Sequence, residues 1–124
     1  MCQVTVDFIA REDDLSTWRM VLVEQGPWPK SAVKDQLTRI QDRLYTCIDA
    51  ALDGALAQKY PDSRGKRLII QLDGYDLPES QVREFFTRFS SGVMKVPSYV
   101  SAFASQAFVT QIGFELTLRE GMDA

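Results

Sequence analysis

The chain has 124 residues, enough for one domain with one hydrophobic core. Hydrophobic residues make up 45% and charged residues 25%, a globular balance that excludes intrinsic disorder. The net charge is −3 and the isoelectric point about 4.9, which leaves no general positive field for non-specific nucleic-acid binding.

The first element is a strand. Val4, Val6 and Phe8 alternate with Thr5, Asp7 and Ile9, and a period of two buries one face. Arg11 to Ser16 is polar and acidic, and reads as a loop. Trp18, Met20 and Leu22 then alternate with Arg19, Val21 and Val23, giving a second strand over Thr17–Glu24. The two runs lie close enough to pair as an antiparallel hairpin. Gly26-Pro27-Trp28-Pro29 stops the second strand, because proline cannot continue a ladder.

A long helix follows, with Ser31 as the expected N-cap. Val33, Leu37, Ile40, Leu44, Cys47, Ile48 and Ala51 fall at steps of three and four on one side of it. Asp35 and Arg39 stand four apart on the outer side. Gly54 suits a left-handed cap, with Lys59 as the alternative end and Pro61 as the limit in either case. Gly65-Lys66-Arg67 leads into Leu68-Ile69-Ile70-Gln71-Leu72, a short apolar run that suits an interior strand.

Asp76 as N-cap, Pro78 in the first turn and Glu79 at N3 would start a second helix in capping-box fashion. Its apolar stripe is Val82, Phe85, Phe86 and Phe89. Ser90 to Ser98 is a break. Val100, Phe103, Ala104 and Ala107 then suggest a third helical piece reaching toward Gly113, against the alternative of one strand from Gln106 to Leu118. Phe114, Leu116 and Leu118 form the last strand. The expected architecture is a single α+β domain over residues 1–124. Its order is β-β-α-β-α(α)-β, with a mostly antiparallel four-stranded sheet and the helices packed on one face.

The chain contains no histidine. The commonest general base near neutral pH and the commonest metal ligand are therefore missing. Ser-His-Asp and Cys-His catalysis cannot be assembled within one chain, and two cysteines cannot fill an all-cysteine zinc site. Cys47 lies within the apolar stripe and reads as a buried, inert thiol; Cys2 stands alone near the N-terminus. No signal peptide and no membrane-spanning run is visible, so reduced cysteines in the cytoplasm are the expectation, without cofactor, metal, nucleic-acid or membrane partners.

Four groups could carry function. Asp73, Asp76 and Glu79 could hold a cation or act as a carboxylate pair, but a turn and a helix cap account for them. Glu12-Asp13-Asp14 could meet a basic partner, and equally suits a hydrated loop tip. Arg64, Lys66 and Arg67 around Gly65 could hold an anion, although the chain has no P-loop and no GxGxxG. Trp28, Tyr75 and Tyr99, with Trp18 and Tyr60, stand at element ends, where aromatic residues anchor partners or close a small core.

The steps of four and three from Val33 to Ala51 also match a coiled-coil seam, and a small domain gains stability by dimerising. The leading expectation is a non-catalytic module that binds a protein partner or a second copy of itself, with an inhibitor of a basic active site as one form. The alternatives are a regulatory domain that binds a small molecule or nucleotide in a pocket between the sheet and the aromatic helix (Phe85, Phe86, Phe89), with Lys66 and Arg67 near its rim, and a hydrolase using Asp73 and Asp76.

Overall fold

The computed structural model describes residues 8–11, 17–105 and 108–119. Strand β1 (Phe8–Arg11) is followed by β2 (Thr17–Gln25), helix α1 (Val33–Asp53), a short α2 (Ala55–Lys59) and β3 (Arg67–Tyr75). Helix α3 (Glu79–Gly92), helix α4 (Pro97–Ser105) and β4 (Gln111–Arg119) complete the order. Single 3-10 turns at Lys30–Ala32, Pro61–Ser63 and Val93–Lys95 join the helices to their neighbours.

The sheet order is β1-β2-β3-β4. The β1–β2 pair is antiparallel, with Phe8 opposite Val21 and Arg11 opposite Trp18. The pairs β2–β3 and β3–β4 are parallel. The expected mostly antiparallel sheet is therefore corrected: three of its four strands run the same way. The cause lies in the connections. A hairpin reverses the chain, whereas a helical crossover returns it to the same end before the next strand begins. Both long connections here are crossovers, through α1 and through α3. Successive right-handed crossovers that add each strand beyond the last place their helices on one side of the sheet.

Register turns the alternation into rows. Trp18, Leu68 and Ile112 align across β2, β3 and β4; so do Met20, Ile70 and Phe114, and then Leu22, Leu72 and Leu116. These rows share one core with Ile40, Leu44, Cys47 and Ile48 of α1 and Val82, Phe86 and Phe89 of α3. Phe86 and Phe89 meet the Phe114 ring edge-on at 6.4 and 5.9 Å. The helix-facing residues of β3 are fully buried, while those of edge strand β4 are half-buried. The opposite face is more polar. There Arg19 donates to Gln71 at 2.9 Å and pairs with Glu115, and Gln71 donates to Asp73 at 2.6 Å.

Several local expectations are borne out. Gly54 adopts φ 94° and separates α1 from α2, so the left-handed cap and the continuation to Lys59 both occur. Residues 97–105 are helical and β4 starts at Gln111 rather than extending back to Gln106, so the third helical piece is present. Its expected reach toward Gly113 is corrected, since residues 108–110 are bends. The expected break over Ser90–Ser98 narrows to the 3-10 turn between the end of α3 at Gly92 and Pro97.

The capping expectations are corrected. Ser31 sits inside the first 3-10 turn, and α1 starts after Ala32 without a side-chain cap. Asp76 is left-handed at φ 60° and gives α3 no side-chain cap. Its backbone is committed elsewhere: Asp76 N–H donates to the Arg119 carbonyl, and its own carbonyl lies against Gly26. A Cβ at position 26 would stand 2.1 Å from that oxygen, which is why glycine follows β2.

Candidate functional site

Helix α1 presents more than one apolar direction. Ile40, Leu44, Cys47 and Ile48 are buried against the sheet. Val33 and Leu37 belong to the same sequence stripe but are half-buried. The reason is position along the helix. Arg39 and Arg43 reach Glu24, the penultimate residue of β2, so the turns before Arg39 lie level with or beyond the end of that strand. The stripe runs off the sheet and meets α3 instead.

Phe85 has the corresponding place on α3. Successive helical residues point about 100° apart, so Phe85 and Phe86 cannot face the same surface. Phe86 is buried against the sheet and Phe89 is buried next to it, whereas Phe85 is half-buried and stacks on Phe89 at 6.1 Å.

Between α1 and α3 lies an open groove of about 640 Å³. Leu37, Tyr45, Phe85, Phe89, Val93 and Val96 give its apolar lining. Gln41, Gln81, Glu84 and Arg88 add polar groups. A further recess of about 420 Å³ continues past Leu37 and Phe85 to Val33, Lys30 and Lys34. Val96 is 39% exposed and nearby Val100 51% exposed, an unusual degree for large apolar residues so close together.

The groove walls are held firmly. Tyr45 meets Phe89 edge-on at 5.2 Å and stacks on Tyr99 at 6.3 Å. The Tyr99 hydroxyl donates to Asp49 at 3.0 Å, which ties α4 to α1. Burial raises the Tyr99 pKa, and the bonded, negatively charged Asp49 raises it further. On α3, Arg88 pairs with Glu84 at 2.7 Å, and both side chains are well exposed.

A second charged cluster stands at the end of β2. Glu24 is 4% exposed. Arg39 engages both of its oxygens, one of them at 2.9 Å, and Arg43 donates to it at 2.5 Å. Arg39 also donates to Gln36 at 2.9 Å, so its partners are on β2 and its own helix rather than at Asp35. Two guanidinium groups around one carboxylate satisfy a charge that would be costly to bury alone. The cluster pins α1 to the sheet. It was legible in part: Glu24 is in phase with Trp18, Met20 and Leu22.

The residues singled out in the sequence do not come together. Arg64, Lys66 and Arg67 lie at the start of β3, where Arg64 stacks over Phe108 at 5.1 Å and Arg67 donates to Thr17 at 3.1 Å. Tyr75 lies at the other end of the same nine-residue strand, about 26 Å away at ~3.3 Å per residue. Trp28 is half-buried and packs on the core, as does Tyr60, whose ring lies 5.5 Å from that of Trp18. Tyr99 packs between α4 and α1 and also borders a shallower recess with Met94, Val100 and Ile112. Glu12, Asp13 and Asp14 lie outside the described residues.

Asp73 and Asp76 do not make a turn before a helix. Asp73 is buried within β3 and accepts from Gln71, Asp76 is exposed, and Glu79 pairs with Arg83 at 3.2 Å. Among the described residues, no group of three or more acidic or cysteine side chains is placed to hold a metal ion. Cys47 is buried, and its thiol is pushed up to about 12, chiefly by burial and against the opposing pull of Arg43. Among the described residues, no helix is long and apolar enough to cross a membrane.

Comparison with protein-family models, with curated proteins and with solved structures finds no match to this chain.

Proposed function

We propose that the chain is a non-catalytic protein-binding module whose docking surface is the groove between α1 and α3. The observation that carries this reading is the apolar lining at Leu37, Phe85 and Val96, left over after the helices have packed on the sheet. Burying such a strip on a partner removes apolar area from water at roughly 25 cal/mol per Å². Phe85 is the natural anchor, because a rigid aromatic ring contributes much contact area at little entropic cost. The polar side chains Gln41, Gln81, Glu84 and Arg88 supply a rim for orientation.

The chemistry elsewhere supports a binding role. The chain has no histidine, and its buried cysteine is held in the thiol form at neutral pH. The buried carboxylate Glu24 is committed to two arginines, and Asp73 accepts from Gln71.

Affinity capture from the native host tests the proposal with three baits: wild type, F85E, and T117K on β4. The proposal expects a partner retained by wild type and T117K and lost by F85E. A partner retained equally by F85E overturns it. Far-UV circular dichroism confirms that each bait is folded.

A further inference from the structure

Building on that reading, we infer that the groove between α1 and α3 takes one α-helical segment of a partner protein, acidic at the end that meets Lys30 and Lys34. Leu37, Gln41 and Phe85 border both the groove and the recess beyond it, so the two form one channel. Along α1 this channel runs from Val33 to Tyr45, about 18 Å at 1.5 Å per residue. About twelve residues of helix, or three turns, cover that length.

The walls select a helix over an extended chain. Both are helices, whose main-chain groups bond within each helix and leave an incoming strand no ladder to join. Their side chains instead form ridges and furrows into which a third helix packs. Val33, Leu37, Phe85 and Val96 supply the apolar line for positions i, i+4 and i+7 of the incoming segment.

Charge sets the chemistry of its end. Among the described residues, four charged side chains line the channel: Lys30, Lys34, Glu84 and Arg88. Glu84 and Arg88 pair with each other at 2.7 Å. Lys30 and Lys34 are exposed, and among the described residues neither ammonium has a salt-bridge partner. Asp35 and Asp42 also lie on α1 but border neither part of the channel. One end is therefore basic on a chain whose net charge is −3. An acidic turn placed there gains two opposite charges, whereas a basic turn is repelled by both lysines. Toward Val96 the lining is Phe89, Gly92 and Val93, which carry no charge, so the lysines also fix which way round the segment lies.

Selection from a displayed library of random 16-residue peptides tests the inference. Wild type is the bait, with counter-selection on F85E and a parallel selection on K30E/K34E. Circular dichroism checks the fold of each bait. Peptides that need Phe85 are expected to repeat apolar residues at i, i+4 and i+7 and to gather Asp or Glu in one end turn. By fluorescence anisotropy they should bind K30E/K34E about tenfold more weakly than wild type, as two exposed pairs turn from attraction to repulsion. The K30E/K34E selection should yield Lys or Arg in the same end turn. Proline at the centre of a selected peptide should abolish its binding, because it breaks a helix. Phe85-dependent peptides with no acidic end, with equal affinity for K30E/K34E, or with tolerance of the central proline overturn the inference and leave the groove as a docking surface. Absence of any Phe85-dependent peptide also overturns it, and the wider proposal then rests on affinity capture with F85E.

Discussion

Leu37 and Leu44 are seven residues apart on α1 and occupy the same position in the sequence stripe, yet the structure gives them different tasks. Leu44 is fully buried between α1 and the sheet, and Leu37 is half-buried on the groove. Truncating each to alanine removes the same atoms. At Leu44 the cost includes the lost transfer energy and the cavity left behind, about 3–4 kcal/mol within the usual range for a closed core. At Leu37 water fills the space and much of the side chain is already hydrated, so the cost is about 1 kcal/mol or less.

For a chain of this length, 1 kcal/mol moves the melting temperature by about 4 °C. L44A should therefore melt about 12–16 °C below wild type and L37A within about 4 °C of it. Scanning calorimetry and urea titration, both below the concentration of any self-association, give the two values. Equal losses, or a larger loss at Leu37, would refute the assignment of one side of α1 to the core and its first turns to the groove.

E24Q keeps the shape of the side chain but removes the charge that Arg39 and Arg43 share. Because Arg39 is half-exposed and regains water, the loss should be about 2 kcal/mol in urea unfolding rather than the larger cost of a closed ion pair; no loss would show that the cluster does not pin α1. G26A should destabilise by about 2 kcal/mol or more by the same assay, since the added carbon meets the Asp76 carbonyl, and a neutral result would contradict that close approach. Cys47 titrates near 9.0 when exposed and about 12 when folded, so the unfolded chain loses its proton first as pH rises. Its contribution to stability is full below about pH 9 and is lost as pH rises toward 12; C47A should flatten that alkaline decline, and an unchanged slope would assign it to other groups.

Much of the fold was legible from period alone. The alternation at Trp18, Met20 and Leu22 and the stripe at Val82, Phe86 and Phe89 name core residues correctly, because burial on one side imposes the period directly. Strand direction was not carried by that signal. Alternation in β2 and β4 looks the same in parallel and antiparallel sheets, and the deciding information was the helical crossover between strands. The caps misled for a related reason. Ser31 and Asp76 have the right side chains, but 3-10 turns and a backbone bond to Arg119 had already fixed the chain around them. The site was half visible. Adjacent Phe85 and Phe86 imply two surfaces on α3, yet which helix faces Phe85 depends on the crossover geometry. The charged loop at Arg64–Arg67 and the ring of Tyr75 drew attention as residue types, and a nine-residue strand keeps them apart.

The docking surface itself is open to direct observation. A benzophenone amino acid in place of Phe85, and separately in place of Thr117, is irradiated in cells of the native host, and adducts are mapped by mass spectrometry. The account predicts a discrete protein adduct from position 85, falling on the same chain or on one defined partner, and none of comparable yield from position 117. A discrete adduct from 117 with none from 85 would contradict it, because binding would then belong to the sheet rather than to the groove between the helices.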